Sequence, residues 1–242
     1  MQQISSRQAV LAVLNDPSFV VPPVPPARAG VAWLRAEVGR FSTGETHERR
    51  RALSVAILDA IPLESLRAGG PMHPVALLAR AMGVDAPVVD PVGDVAQAYQ
   101  PGTGDEARAG LAVDRLVAVF GGGYDEPTAA RIGVLVQAYE ATAVLIERSR
   151  HRPVDDVLRD DPPVPATKRQ ALVATTVGDI TIAAGEVVQV RLAGDLAFGA
   201  GPRRCPGRAH ALALVEGARG LGEDSTTPDT GDGRAARPPA DS

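Results

Sequence analysis

The sequence predicts a mainly α-helical protein with a small β portion, and three observations lead to that prediction. Apolar residues recur at helical spacing, with capping residues beside them, up to Arg150. Beyond Arg150 the pattern changes to short alternating runs of β-branched residues, broken at Gly178-Asp179 and Ala184-Gly185, which is typical of strands and turns. A last helical pattern, residues 211–221, follows a loop rich in glycine and proline.

Composition restricts the classes of protein to consider. The chain has 242 residues, 45% of them hydrophobic, enough for one core of reasonable size or two small ones. A net charge of -4 and 3% aromatic residues give no basis for a nucleic-acid partner. The single cysteine excludes an internal disulfide and fits a reducing compartment. The N-terminal residues lack a signal-peptide pattern and the apolar runs are short, so we expect a cytoplasmic protein without a membrane segment.

The helical patterns before Arg150 each combine an apolar stripe with a stop or cap signal. They cover residues 5–17 with Ser5 or Ser6 as cap, 46–61 with Thr46 as cap, 73–84 ended by Gly83, 109–123, and 128–149. A stiff proline-rich connector spans 21–30, and turns are expected to break 90–110. The run 128–149 is apolar on most sides, so it is predicted to be the central helix.

The chain divides into one domain, residues 1–221, and a tail, residues 222–242. The tail has almost no apolar residues and is rich in Gly, Pro, Asp, Ser and Thr. Such a composition buries too little apolar surface to offset the entropy of ordering, so the tail is predicted to be disordered.

The loop FGAGPRRCPG, residues 198–207, surrounds the only cysteine. A lone cysteine is most often a small buried apolar residue. Here, however, Gly199, Gly201 and Gly207 permit tight turns and a close approach to a flat ligand. Pro206 suits the first turn of the helix that follows, which would place Cys205 at a helix N-terminus that favours a thiolate. One thiolate cannot build a zinc or iron–sulfur site, but it suffices as the axial ligand of a haem iron.

The same loop fills every fixed position of F-x-x-G-x-[RH]-x-C-x-G, so the chain resembles the cytochrome P-450 family. The resemblance implies a truncated cytochrome P-450-like fold that binds haem b. It implies that Cys205 is the proximal iron ligand, that Phe198 and Gly199 line the haem beside the sulfur, and that Arg203 binds a propionate.

Other segments follow the family's order along the chain. GETHERRRAL resembles a helix start whose histidine and arginine bind propionates, here His47 and Arg51, which share a helix face. Taken alone, HERRR reads more simply as a solvated basic face. Arg169 matches a further arginine at the haem edge, and Asp156 with Arg159 resembles the family's E-x-x-R pair.

Departures from the family pattern affect the catalytic expectations. In LVQAYEATAVL, Glu140 retains the acid, Ala141 stands where a threonine is expected, and Thr142 follows it. Glu140 and Thr142 are therefore the candidate proton-delivery residues. The middle of the chain is too short for the family's lid helices, and residues 191–197 are too few for its meander.

By resemblance, the expected activity is that of a monooxygenase or peroxygenase oxidising a small organic substrate, in bacterial secondary metabolism. A ferredoxin-type donor would meet Arg204 and Arg208 at the cysteine face. Two alternatives stay open: a haem protein with peroxide-driven or non-oxidative chemistry, and a degenerate, non-catalytic relative that partners a full-length enzyme.

Overall fold

Ten α-helices and two small sheets form the part of the chain that the computed structural model describes, residues 1–70 and 72–223. The helices are α1 (Arg7–Asn15), α2 (Gly30–Glu37), α3 (Gly44–Asp59), α4 (Leu63–Arg67), α5 (Pro74–Ala81), α6 (Val89–Gln97), α7 (Glu106–Val119), α8 (Glu126–Arg148), α9 (Val154–Asp160) and α10 (Arg208–Glu223). The strands are β1 (Gln3–Ile4), β2 (Phe19–Val20), β3 (Ala166–Ala171), β4 (Thr175–Val177), β5 (Ile180–Ile182) and β6 (Val187–Arg191). This confirms the predicted mainly α architecture with a small β portion.

Helix α8 is the centre of the helical layer, as its apolar sequence predicted. It contacts α3, α5, α6 and α10, and its N-terminus is capped by Asp125, whose carboxylate accepts a hydrogen bond of 2.8 Å from the Thr128 N–H. By length and composition alone it is apolar enough to cross a membrane, with a mean hydropathy of 1.4 over its best window. Half of that window is buried inside the protein, and the buried core helix of a soluble protein passes the same test of length and composition. The expectation that no apolar run reaches this length was therefore too strict.

The larger sheet has the strand order β1-β6-β3-β2. Strands β3 and β6 pair antiparallel from Ala166–Arg191 to Gln170–Val187, whereas β1 runs parallel to β6 and β2 antiparallel to β3. The second sheet is the β4–β5 hairpin, which turns at Gly178 with a φ of +60°. One face of the strands packs on α1 and forms a small core separate from the helical one.

Helix boundaries show where the sequence patterns were incomplete. The helix predicted from Thr46 begins at Gly44, with Thr43 extended before it, so Thr46 is not the cap. The segment expected to be broken by turns contains α6 and only then turns, at Gly102 and Gly104. Pro91 lies in the first turn of α6, where a proline costs no intrahelical hydrogen bond.

Besides α6, the short helices α2 and α4 were not predicted, and burial explains the longer of these two, α2. Helix α2 has no side-chain cap, but it buries Trp33 and Leu34 against the main core. Tertiary packing therefore stabilises a segment whose own helical signal is weak. The predicted disordered tail lies outside the described residues, except that residues 222 and 223 end α10.

Helix α10, which follows the cysteine loop, is held very close to α4. A Cβ atom added at Gly217 would lie 2.6 Å from the Arg67 carbonyl oxygen and 2.8 Å from that of Leu66. Neither backbone atom can move away without shifting α4. The absence of a side chain at Gly217 therefore sets the distance between these helices.

We expect Gly217→Ala to lower the free energy of unfolding by about 1–3 kcal/mol, the range typical of overpacking. The matched control is Gly110→Ala in α7, where the new Cβ would meet only the Cα of Gly30 at 3.8 Å. That control should be neutral, or stabilising by up to about 1 kcal/mol through helix propensity. Urea denaturation measures both; a Gly217→Ala protein as stable as the Gly110→Ala protein would contradict the close packing.

Candidate functional site

The cysteine loop is a chain of tight turns supported by α1. Gly199 and Gly201 have φ values of +72° and +66°, and the Cys205 N–H donates a 2.9 Å hydrogen bond to the Phe198 carbonyl. A Cβ at Gly201 would lie 2.7 Å from Asn15 Oδ1 and 2.8 Å from the Leu14 carbonyl oxygen. Glycine is thus required at Gly201 both by conformation and by contact.

The thiol of Cys205 is free and the residue is exposed. Its pKa is nevertheless raised, because surrounding protein atoms displace water from the sulfur; the Gly207 N–H bond and the Arg51 charge act in the opposite direction. The expectation of a favoured thiolate is not met by the protein alone, because α10 begins only at Arg208 and desolvation outweighs the nearby donors.

Five basic side chains from separate parts of the chain lie together beside this loop, and we call them the cation cluster. They are Arg40 before α3, His47 and Arg51 on α3, Arg169 on β3 and Arg203 in the cysteine loop. Burial, with the charge of Arg203 next in weight and then those of Arg51 and Arg169, lowers the pKa of His47 to about 4. Burial, with Arg203 and Arg40, lowers the pKa of Arg169 to about 10. Each of the five groups is therefore coupled through charge to at least one other, which places them in one neighbourhood.

Within the described ranges 1–70 and 72–223, no carboxylate forms an ion pair with any arginine of the cation cluster. Carbonyl oxygens orient them instead. Arg51 donates to the Arg204 carbonyl at 2.6 Å, Arg169 to that of Lys168 at 2.8 Å, and Arg203 to that of Ser42. Buried Arg169, with partly buried Arg51 and Arg203, matches a ligand with more than one negative charge.

Phe198 connects the loop to a small apolar cluster. Its partly buried ring packs against the cluster formed by Leu145 of α8, Val157 and Leu158 of α9, and Val215 of α10. On another side the Arg208 guanidinium lies 5.7 Å from the ring centroid, within cation–π range. The ring therefore fixes the loop against three helices.

The two candidate proton-delivery residues lie on different sides of α8. Glu140 is exposed, whereas Thr142 is buried with 6% of its surface accessible. Residues two apart on a helix do not face each other, so the structure does not bring these side chains together as one relay. Ala141 between them is partly exposed.

The pair Asp156 and Arg159 forms an ion pair on α9, and Arg159 also contacts Asp160 at 3.1 Å. The Arg159 side chain is 60% exposed. The short link from β6 to the loop, a 3-10 turn at Gly194–Leu196, contacts α9 but leaves this pair in solvent. An exposed pair of this kind contributes little to stability.

Arg40 and the residues that orient Arg203 were not among the predicted site residues. Arg40 stands in a 3-10 turn with no motif around it, and its guanidinium lies 5.7 Å from the Phe41 ring centroid and 5.9 Å from that of Tyr99. Arg50, between the two residues assigned in HERRR, bonds to Ser42. No local pattern distinguishes a guanidinium that faces the site from one in solvent.

No protein-family model matches the sequence. No curated protein matches it either. Many solved structures do share the fold. CalO2 matches with a TM-score of 0.70 at 19% identity, over 90% of this chain and 82% of that chain. P450BioI, in complex with an acyl carrier protein ligated to hexadec-9Z-enoic acid, matches with a TM-score of 0.62 at 16% identity, over 90% of this chain and 82% of that chain. Cytochrome P450 TxtC, which performs thaxtomin hydroxylation, matches with a TM-score of 0.62 at 16% identity, over 92% of this chain and 84% of that chain. The fold is therefore a truncated cytochrome P450-like fold, and the resemblance first drawn from the cysteine loop is confirmed at the level of the fold.

The depressed pKa of His47 predicts an acid-sensitive apoprotein. Between pH 6.5 and about 4 the unfolded chain binds a proton at this residue that the folded protein does not, so the free energy of unfolding falls as the pH falls. Urea denaturation across this window should show a shallower loss in His47→Asn. His151→Asn, at an exposed turn, is the matched control and should follow the unmodified protein. Equal slopes in all three proteins would contradict the buried, repelled state of His47.

Proposed function

We propose that the chain binds haem b through Cys205 and oxidises a small organic substrate, as a cytochrome P450-like monooxygenase or peroxygenase. The observation that carries the proposal is the cation cluster: buried His47 and Arg169, half-buried Arg51 and Arg203 and exposed Arg40 lie beside the only thiol, and its arginines have no acidic partner in the described residues. The P450-like fold supports the same assignment, since the resemblance drawn from the cysteine loop implies an iron ligand at Cys205.

The residues present fit a haem. Its two propionates would supply the negative charges that the cation cluster lacks, and guanidinium groups suit carboxylates. Arg203, Arg169, Arg51 and His47 would hold the propionates, with Arg40 nearby. Cys205 would ligate the iron, with Gly199 and Phe198 beside it. The single cysteine does not allow attachment through two thioethers, so the haem would be the non-covalent haem b. When bound, such a group supplies the redox chemistry that activates an oxidant.

The chain's own contribution is binding, orientation and proton control. Opposite charge at the propionates would raise the pKa of His47 from its low value, so haem binding should be accompanied by proton uptake at this imidazole below neutral pH. The Gly207 N–H bond at the sulfur and the Arg51 charge both favour a thiolate, and the iron would complete that preference. On α8, the hydroxyl of buried Thr142 would be the candidate for handling a proton, and exposed Glu140 would exchange protons with solvent.

The proposed setting is soluble oxidative metabolism in the cytoplasm of a bacterium. The exposed Arg204 and Arg208 beside the cysteine loop would receive an acidic, ferredoxin-type electron donor. Neighbours such as TxtC support an oxidation of secondary metabolites, and a small-molecule substrate fits that class.

A second candidate is a haem-binding relative that does not use reductant and dioxygen. It is favoured by Ala141, which has no hydroxyl, and by the exposure of Cys205 and of the Asp156–Arg159 pair. Such a protein would use peroxide, perform a non-oxidative reaction, or act as a non-catalytic partner of a full-length enzyme.

The proposal is tested first by ligation. The reduced, carbon monoxide-bound protein reconstituted with haem should show the red-shifted Soret band of thiolate ligation, and Cys205→Ser should lose it. The sequence has no other cysteine whose thiol could replace that of Cys205. A variant that retains the band would refute the assignment of Cys205, and an unmodified protein that binds no haem would refute the proposal.

Haem affinity tests the cation cluster. We expect Arg51→Ala to weaken affinity about tenfold to a hundredfold, because one charge-assisted hydrogen bond is worth about 1.5–3 kcal/mol. Arg49→Ala is the control: the same helix and charge change, but Arg49 pairs with Glu126 at 2.7 Å. Haem transfer to an apo-globin measures both. Equal rates for the two variants would count against the cluster as the propionate site.

Coupling tests the roles of Ala141 and Thr142. If Ala141 occupies the position of the missing hydroxyl, peroxide should support oxygenation better than reductant with dioxygen. Ala141→Thr should then raise the product formed per reductant consumed, because general acid help typically accelerates proton transfer by roughly 10²–10⁴-fold. Tight coupling in the unmodified protein that collapses in Thr142→Ala would instead assign the role to Thr142.

A further inference from the structure

Arg50 lies outside the cation cluster, yet it is connected to it through one residue. The geometry points to Arg50 as a positioning residue that, through Ser42, holds the guanidinium of Arg203 at the proposed propionate site. This inference rests on the proposed function, but its first test does not require haem.

The Arg50 guanidinium has every nitrogen engaged. Its Nε donates to Glu126 at 2.7 Å, one terminal nitrogen donates to Glu37 at 2.6 Å, and the other donates to Ser42 Oγ at 2.7 Å and to the Ala36 carbonyl. The side chain is only 11% exposed. It therefore joins α2, α3, the first turn of α8 and the loop before α3 in one rigid arrangement.

Ser42 transmits this arrangement to the site. It is buried, its hydroxyl accepts from Arg50 and donates to the Val38 carbonyl at 2.8 Å, and its own carbonyl accepts from Arg203. Among the hydrogen bonds of the described residues, the Ser42 carbonyl is the acceptor that orients the Arg203 side chain. If Ser42 moved, the Arg203 guanidinium would lose this acceptor. Its position would then depend on repulsion from neighbouring arginines such as Arg51.

Arg49 provides a natural contrast to Arg50. It precedes Arg50 on α3 and shares Glu126, donating to both oxygens of that carboxylate, at 2.9 Å and 2.7 Å. Its side chain is 58% exposed, and its hydrogen bonds do not reach Ser42. Of the two residues only Arg50 reaches Ser42, and it also bonds Glu37 and the Ala36 carbonyl; loss of either residue removes one positive charge.

The first test uses the apoprotein and follows the His47 imidazole by NMR titration. The charged groups that face His47 are Arg203, Arg51 and Arg169, so withdrawal of Arg203 should raise its midpoint. We expect Arg50→Gln to shift the midpoint upward, towards that of Arg203→Ala, and Arg49→Gln to leave it unchanged. If Arg50→Gln does not fold, Ser42→Ala serves instead and should shift the midpoint in the same direction by less. An unshifted midpoint in the folded Arg50→Gln protein, or in Ser42→Ala where that variant is used, overturns the inference.

The second test uses the haem-loaded protein and measures haem transfer to an apo-globin. Arg50→Gln should release haem faster by up to the factor found for Arg203→Ala, and the double variant should be no faster than Arg203→Ala alone. Arg49→Gln should transfer haem at the unmodified rate. Additive effects of Arg50→Gln and Arg203→Ala would show that Arg50 acts on overall stability and not through Arg203. If the unmodified protein binds no haem, the proposed function fails, while the titration still decides the role of Arg50.

Discussion

Burial of basic side chains without acidic partners among the described residues, with repulsion between them added to it, is the constraint on which this site depends. Arg203 and Arg51 both oppose protonation of His47, and Arg203 also opposes the charge of Arg169. Elsewhere in the described chain, comparable guanidinium groups are neutralised: Arg50 by Glu37 and Glu126, for example. A fold retains unneutralised, desolvated charge only where the surrounding structure over-determines it. Here that structure consists of a helix, a strand and a loop from distant parts of the chain, each fixed by its own packing.

The supporting scaffold has two parts with different tasks. The helical layer around α8 fixes α3 and α10, and with them His47 and the end of the cysteine loop. The small sheet and α1 support Arg169 and the beginning of that loop, which rests on the end of α1 at Gly201. The site therefore lies where two separate apolar cores meet, and its geometry depends on both.

Local patterns predicted most of the long helices, the β4–β5 hairpin and the cysteine loop, because each has a period or a turn signal of its own. Helix α2 escaped because burial of Trp33, a tertiary effect, stabilises it. The same distinction applies at the site. The resemblance to the cytochrome P-450 family brought His47, Arg51, Arg169 and Arg203 forward as candidates, and the structure gathers them. The position of Arg40 and the contacts that run through Ser42 depend on which segments meet in the folded chain. Neighbouring residues in the sequence carry no signal for such contacts.

The larger sheet carries a consequence for how this protein is made. Its inner strands, β6 and β3, come from residues 166–191, but its outer strands, β1 and β2, come from the first twenty residues. During synthesis the N-terminal segment must wait until residues 166–191 have emerged before it finds its partners. Contacts of such long sequence separation form slowly, and unpaired strand edges invite wrong association meanwhile. Helices α2 to α8 precede strands β3 to β6 in the chain and can assemble first, whereas α10 follows them, so a ribosome-bound intermediate with α2 to α8 in place and an unpaired N-terminal segment precedes the finished site.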